Sequence, residues 1–257
     1  MKDQILTIET NQEIQKDIFQ MTLTGDTGEI GRPGRFINIR LDGFYLRRPI
    51  SLSDYGDGKL TIIYKVVGRG TRALSEYKKG KELDVLLPLG NGFDPDAENA
   101  RDAAPVLVGG GIGLPPLYGL AKALKQQGRT PVVIAGFNTK DDVIMEEDFR
   151  SLGIEPVITT VDGSLGMQGM VTDALEKLSS EDVFPGNKAF VFACGPEPML
   201  HALWNPCNEK SWSGQFSFEA RMACGFGACM GCSCKTKYGN KRICTDGPVL
   251  TKEEIIW

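Results

Sequence analysis

Five of the chain's seven cysteines lie between positions 224 and 244. Cys224, Cys229 and Cys232 follow the C-x4-C-x2-C spacing that, with a later cysteine such as Cys244, marks plant-type [2Fe-2S] sites. The spacing has a physical reason: three thiolates must converge on a two-iron core from a single loop. Gly225, Gly227, Ala228 and Gly231 keep that loop free of bulk, so its backbone wraps closely and its amides reach the sulfurs. A structural zinc site is the alternative, but such sites usually pair two C-x2-4-C knuckles, and only Cys229 and Cys232 form a clean one. Cys234 does not fit the three-cysteine spacing and reads as a buried thiol behind the ligands or as a substitute ligand.

Two glycine-rich turns supply a second kind of chemistry. Pro105 to Pro116 runs from a buried strand through Gly109, Gly110, Gly111 and Gly113 into a helix opened by Pro115 and Pro116. Backbone amides at such a turn approach a pyrophosphate closely, and the helix N-terminus favours its negative charge. The third glycine of the G-x-G-x-x-G fingerprint is missing, so the turn alone does not settle on a nucleotide. Phe190 to Met199 again closes a strand in a small turn, Cys194-Gly195-Pro196, and opens a helix. Cys194 reads either as a buried apolar cysteine or as a neighbour of a nicotinamide ring. Between the two turns, Asn138-Thr139-Lys140-Asp141-Asp142 follows a strand where ribose recognition usually lies; its acids disfavour a 2′-phosphate and so favour NAD over NADP, with Lys140 pulling the other way.

Earlier in the chain, Arg48 offers a bidentate grip on phosphate, and Gly70-Thr71 opens a short helix whose N-terminus offers another. Singly, Arg48 is a surface charge and Thr71 a cap; together they outline a phosphate site. A nicotinamide exchanges two electrons as a hydride, whereas a [2Fe-2S] cluster takes one. A converter is needed between them, and flavin, which handles one electron or two, is the expected third cofactor.

These residues need elements to position them. Short β-rich runs at Ile5 to Glu9, Ile18 to Leu23, Phe36 to Leu41, Leu60 to Val67 and Glu82 to Leu86 predict an antiparallel barrel with one helix, Arg72 to Lys79; Arg47 to Ser51 falls between strands. The polar stretch Asp94 to Asn99 reads as a linker. Beyond it, strands at 105–108, 131–135, 155–160 and 188–193 alternate with helices at 115–127, 142–152, 170–178 and 198–204, which predicts a parallel sheet with ligands beyond the carboxyl ends of its strands. The expected organisation is α+β multidomain: an FAD-binding antiparallel β-barrel (1–98), an NAD-binding α/β domain (99–212) and a small C-terminal [2Fe-2S] domain (213–257) with too little apolar material to fold without its metal.

Composition narrows the function further. The chain has 257 residues, 41% of them hydrophobic, enough for more than one core. Its 29 basic and 33 acidic residues are mixed, with a net charge of -4, so no surface suits nucleic acid or anionic lipid. No apolar stretch approaches the ~20 residues of a spanning helix, and the N-terminus carries acids where a secretory signal would be apolar. A cytoplasmic protein is expected, in which clustered cysteines bind metal rather than form disulfides. The single histidine, His201, leaves little room for hydrolytic chemistry.

The order of Arg48-Pro49-Ile50-Ser51, Gly70-Thr71, Gly90-Asn91-Gly92-Phe93, Gly109 to Gly113, Cys194-Gly195-Pro196 and the cysteine loop resembles the ferredoxin-NADP reductase superfamily. More narrowly, Glu219 to Gly225 and Cys244-Thr245-Asp246-Gly247-Pro248-Val249 are similar to the cluster segment of the dihydroorotate dehydrogenase B electron-transfer subunits, and the likeness covers nearly the whole chain. The resemblance implies FAD contacts at Arg48, Pro49, Ile50, Ser51, Ile63, Tyr64, Lys65, Gly70 and Thr71, and cluster ligation by Cys224, Cys229, Cys232 and Cys244. Ile50 stands where plant-type reductases often carry a flavin-stacking tyrosine, so stacking on that ring face is not implied. The implied partner is an FMN-containing catalytic subunit, in a heterotetramer with two of each chain. That subunit would oxidise dihydroorotate in pyrimidine biosynthesis and pass electrons through the cluster and FAD to NAD⁺; this chain alone would oxidise NADH with artificial acceptors but make no orotate.

Two rivals share parts of the pattern. The small subunits of NADH-dependent ferredoxin:NADP⁺ oxidoreductases, sulfide dehydrogenases and hydrogenases carry the same motifs, and only the cluster-segment details separate them. A zinc-stabilised binding module would account for the cysteines and leave both glycine-rich turns without a purpose.

Overall fold

The structure is a computed structural model that describes residues 1–257. The first part of the chain closes into a six-stranded antiparallel barrel: β1 (Lys2–Gln15), β2 (Ile18–Thr24), β3 (Phe36–Ile39), β4 (Arg48–Gly56), β5 (Lys59–Lys65) and β6 (Glu82–Leu89), in the order β1-β2-β5-β4-β3-β6. Alternation builds it. Leu83, Val85 and Leu87 of β6 point inward with Leu6, Ile8, Met21, Leu23, Ile37, Ile39 and Ile62 to form one buried core. Helix α1 (Arg69–Glu76) contributes Leu74 to that core.

Two expectations change here. The segment from Arg48 is a strand, not a connection, and it runs nine residues to Gly56. Its pattern hides in the sequence because its outer face carries Pro49, Ser51 and Ser53, which pack against the rest of the protein instead of solvent. The helix begins at Arg69 rather than Arg72, because the Thr71 hydroxyl accepts hydrogen bonds from the amides of Val67 (2.9 Å) and Gly68 (3.2 Å) and ties the turn ahead of it.

The polar stretch after the barrel is pinned rather than loose. Gln215 brackets Asp94, accepting from its amide at 2.8 Å and donating to its carbonyl at 3.1 Å, and residues 98–101 form a helical turn, α2 (Glu98–Arg101). The α/β part follows: β7 (Ala104–Gly110), α3 (Pro115–Gln126), β8 (Val132–Phe137), α4 (Glu146–Ser151), β9 (Val157–Thr160), β10 (Met167–Gln168), α5 (Val171–Ser180), β11 (Ala189–Cys194), α6 (Glu197–Glu209) and β12 (Ser213–Ser217). After the cysteine loop come a hairpin, β13 (Ser233–Thr236) and β14 (Gly239–Arg242), and then β15 (Val249–Thr251).

The large sheet has the order β10-β9-β8-β7-β11-β12-β15 and is parallel except at β15. Its central strands are apolar on both faces, as a sheet covered by helices on both sides requires. Val106 and Val108 of β7 meet α5 and α6 on one face, while Leu107 meets α3 on the other. The expected boundary at residue 213 does not interrupt this sheet: β12 pairs in register with β11, Ser217 opposite Cys194, and β15 closes the edge. The cysteine segment is therefore a loop thrown out between two strands of the sheet.

Helix α4 is shorter than the expected 142–152, because Met145 adopts a left-handed conformation at its start and residues 140–142 form a separate tight turn. No helix is long and apolar enough to cross a membrane.

Candidate functional site

The barrel, the sheet and the cysteine segment meet around one cavity of about 710 Å³. Pro49, Ser51 and Lys65 enter it from the barrel; Gly110, Gly111, Gly113, Cys194, Gly195 and Pro196 enter from the carboxyl ends of β7 and β11; Ser217 to Ala220, Met222 and Pro248 enter from the cysteine segment. Strand parity explains which barrel residues reach it. Pro49 and Ser51 line the cavity, while Ile50 between them packs against the barrel core. Ile50 therefore offers its backbone, not a stacking face. The same rule separates Lys65, on the cavity, from Tyr64, whose ring stacks on Phe19 in the barrel with its hydroxyl donating to Asn11 Oδ1 at 3.0 Å.

The two glycine turns lie against each other. Gly109 is paired with Cys194 across β7 and β11, and a Cβ on Gly113 would sit 2.3 Å from the Cys194 carbonyl oxygen, so that position accepts only glycine. Cys194 is half-buried in the cavity wall. Burial pushes its thiol up to about 12, against a hydrogen bond with Ser217, so it faces the cavity as a neutral group. Asn138, Asp142 and Thr159 extend the lining along the ends of β8 and β9, and Asp142 is fixed there by the amide (3.1 Å) and hydroxyl (3.2 Å) of Thr139.

Arg48 and the start of α1 also come together. The Arg48 guanidinium lies over the Phe44 ring, 5.0 Å from its centroid, and against Gly70, where a Cβ would fall 2.1 Å from Nε. A guanidinium beside the N-terminus of an eight-residue helix is a donor set for phosphate. The Thr71 hydroxyl is occupied by the turn it caps, so its backbone is what it presents.

In the cysteine segment the thiols form two linked pairs. The amide of Cys229 donates to Cys224 Sγ at 3.4 Å, and the amide of Cys244 donates to Cys232 Sγ at 3.4 Å. Burial resists ionisation of Cys224, yet donated amides of Cys229, Phe226 and Ala228 bring its thiol down to about 6. Burial, and then the neighbouring Cys232 sulfur, push Cys244 up to about 11, a penalty that a bound cation relieves. Two pairs of thiols in one loop suit a two-iron core. Cys234 sits on the hairpin opposite Lys241 and packs against the sheet core.

Polar clamps hold this loop. Arg242 grips Asp246 through Nε (3.0 Å) and Nη2 (3.1 Å) and donates from Nη1 to the Gly227 carbonyl at 3.1 Å. Asn91, in the turn after β6, donates to the carbonyls of Asp246 (3.2 Å) and Val249 (2.7 Å) and accepts from the Val249 amide at 3.1 Å, acting as a short strand in side-chain form. The sequence reading did not single out Asn38, Phe36 or the Arg242–Asp246 pair. Asn38 had a signal, a lone amide in the apolar run Phe36-Ile37-Asn38-Ile39; the pair had none, because its purpose is set by a loop fifteen residues away.

Barrel, parallel sheet and shared cavity define a reductase that binds a flavin and a nicotinamide cofactor, here with an iron-sulfur loop inserted before the last sheet strand. Solved structures of that class superpose on it. One, reported for flavin-based electron bifurcation by NADH-dependent reduced ferredoxin-NADP oxidoreductase, gives a TM-score of 0.86 at 33% identity over 98% of this chain and 90% of that one. A flavohemoglobin from Malassezia yamatoensis, at 20% identity, covering 82% of this chain and 58% of its own, shares the fold with a TM-score of 0.64.

Family models match residues 107–204, as an oxidoreductase NAD-binding domain, and 219–256, as the iron-sulfur cluster binding domain of dihydroorotate dehydrogenase B. A dihydroorotate dehydrogenase B (NAD(+)) electron transfer subunit from Fusobacterium nucleatum is 45% identical, with 99% of each chain covered; the counterpart from Bacillus pumilus is 42% identical over 99% of this chain and 98% of its own. The chain belongs to the family of dihydroorotate dehydrogenase B (NAD(+)) electron transfer subunits, oxidoreductase subunits whose cofactors are FAD, a [2Fe-2S] cluster and NAD.

Proposed function

We propose that this chain, in the cytoplasm, joins an FMN-containing catalytic subunit, two copies of each, and carries to NAD⁺ the two electrons released when that subunit oxidises dihydroorotate to orotate. The balance is dihydroorotate plus NAD⁺ giving orotate, NADH and a proton. The observation that carries the reading is the single cavity into which the barrel, both glycine turns and the start of the cysteine loop all open. When bound there, FAD exchanges a hydride with the nicotinamide and single electrons with the cluster.

The chain's residues divide the work. Arg48 and the amides at Gly70 and Thr71 hold the FAD phosphates; Pro49 and Ser51 flank its ring, with the backbones of Ile50, Ile63 and Tyr64 and the side chain of Lys65 completing the wall. Gly109, Gly110, Gly111 and Gly113 admit the NAD pyrophosphate, and Cys194, Gly195 and Pro196 bound the nicotinamide, where the neutral Cys194 thiol puts no charge beside the path of the hydride. Cys224, Cys229, Cys232 and Cys244 ligate the cluster. In this division residues 1–98 bind FAD, 99–212 bind NAD, and 213–257 carry the cluster while lending two strands to the central sheet.

Co-expression with the catalytic subunit tests the proposal. A complex that contains FMN and reduces NAD⁺ when given dihydroorotate supports it. A complex without FMN, or one that reduces NADP⁺ from reduced ferredoxin and ignores dihydroorotate, overturns it.

A further inference from the structure

Strand β3 is buried on both faces, which is unusual for a barrel strand with an outer side. Ile37 and Ile39 fill the barrel, while Phe36 and Asn38 point outward; Phe36 lines the cavity, and Asn38, 1% exposed, lies under the cysteine loop. Asn38 Nδ2 donates to the carbonyl of Cys224 at 3.3 Å. The approach depends on the next residue: a Cβ on Gly225 would fall 2.4 Å from that nitrogen. Across the strand pair Asn38 stands opposite Pro49. One side chain thus touches the peptide of a cluster ligand and neighbours the wall of the flavin site.

The amide is not there for packing. Asn38 Oδ1 is buried without a hydrogen-bond partner, an arrangement that a leucine of similar volume would avoid. What the amide gains over an apolar side chain is the directed hold on the Cys224 carbonyl.

We infer that Asn38 is a positioning residue that fixes the cluster loop against the flavin barrel and so sets the rate of single-electron exchange between cluster and flavin. Each exchange moves one electron, lost by one centre and gained by the other, and breaks no bond. Its rate falls steeply with separation, so a loop that drifts from the barrel slows it while leaving the hydride step alone. The inference rests on the proposed placement of FAD beside Pro49 and Ser51, and the two fail differently: if that placement is wrong, Arg48→Ala leaves FAD binding unchanged.

The test uses the holoprotein with both cofactors loaded and two variants that remove the contact in opposite ways. Asn38→Leu keeps the volume, and Asn38→Ser falls short of the carbonyl. A single turnover with NADH is followed by flavin bleaching in stopped flow and by the reduced-cluster signal in freeze-quenched EPR. Both variants are expected to bleach the flavin at the wild-type rate and to show the cluster signal, at unchanged g values, about tenfold or more later. Loss of the cluster with FAD retained also supports the assignment, because the loop has then come away from an intact barrel. Wild-type arrival at the cluster in either loaded variant overturns it. So does loss of both cofactors together, which would make Asn38 a general support of the barrel.

Discussion

The α/β sheet and the cysteine segment are held by different balances of forces. The sheet's strands and helices interlock through Val106, Leu107, Val191, Leu117, Leu200 and their neighbours, all buried, so hydrophobic burial dominates its stability. The segment between β12 and β15 has the two-strand hairpin as its only regular structure, and its exposed Phe226, Met230 and Tyr238 face outward. It buries Cys232, Ile243 and Cys244 in the sheet's core, and is otherwise held by the Arg242–Asp246–Gly227 clamp, by Asn91 and Asn38, and by its sulfurs. A region stabilised by area tolerates local damage gradually; a region stabilised by a few directed contacts and a cluster fails when one of them goes.

Removing a ligand should break the comparison most sharply. Cys224→Ser is expected to abolish the cluster's visible absorption and lower dihydroorotate-driven NAD⁺ reduction by the complex by more than about 100-fold. NADH-driven reduction of an artificial dye, which needs only the flavin and nicotinamide sites, should persist, and the thermal transition of the sheet should stay where it was. A sheet that melts with the cluster would show that the two regions are one cooperative unit.

The converse damage is Leu107→Ala, in the central strand of the sheet. It should destabilise the protein by about 2–5 kcal/mol, read by denaturant unfolding. Below the transition the cluster spectrum should be unchanged.

That contrast also decides what could be read from the sequence. Strands β7, β8, β9 and β11 of the seven-stranded sheet were legible, because burial on both faces leaves continuous apolar runs such as Val106-Leu107-Val108 and Phe190-Val191-Phe192, whereas the edge strands β10 and β15 were not. The iron-sulfur segment was legible because iron dictates the spacing of its cysteines. β4 was missed because its outer face packs on the cavity and on α3, where Asp54 meets Lys122 at 2.6 Å, so polar residues sit where alternation would place apolar ones. β12 was assigned to the cluster segment because Ser213-Gly214-Gln215 lacks the apolar run of its neighbours, Gln215 being spent on pinning Asp94. Asn38, Asn91 and Arg242 act through backbone groups distant in sequence, and no local pattern encodes such partners.

The thiols sharpen the comparison chemically. Burial pushes Cys194 and Cys207 up to about 12, whereas donated amides bring Cys224 down to about 6 against burial. In protein stripped of its cluster, iodoacetamide at pH 7 should label Cys224 about 100-fold faster than Cys194 or Cys207, the gain in thiolate fraction being partly offset by weaker nucleophilicity. Labelling of Cys224 should fall as pH drops through about 6, and that of Cys194 should keep rising with pH toward 12. Mass spectrometry of the digest reads the order; equal rates would mean that the loop's amides do not hold the Cys224 sulfur.

The smallest effect lies between barrel and sheet. Lys122→Met removes the ion pair with Asp54, which is partly exposed, and should cost less than about 1 kcal/mol, declining further at high salt. A larger loss would mean that this pair, rather than packing, sets the angle between the two halves.

Diffraction from crystals of the holoprotein at the iron edge tests the account most directly. It predicts two iron peaks, one beside Cys224 and Cys229 and the other beside Cys232 and Cys244, with the flavin ring in the cavity against Pro49 and Ser51. A single zinc peak among the four sulfurs, or a flavin ring bound away from that cavity, would contradict it.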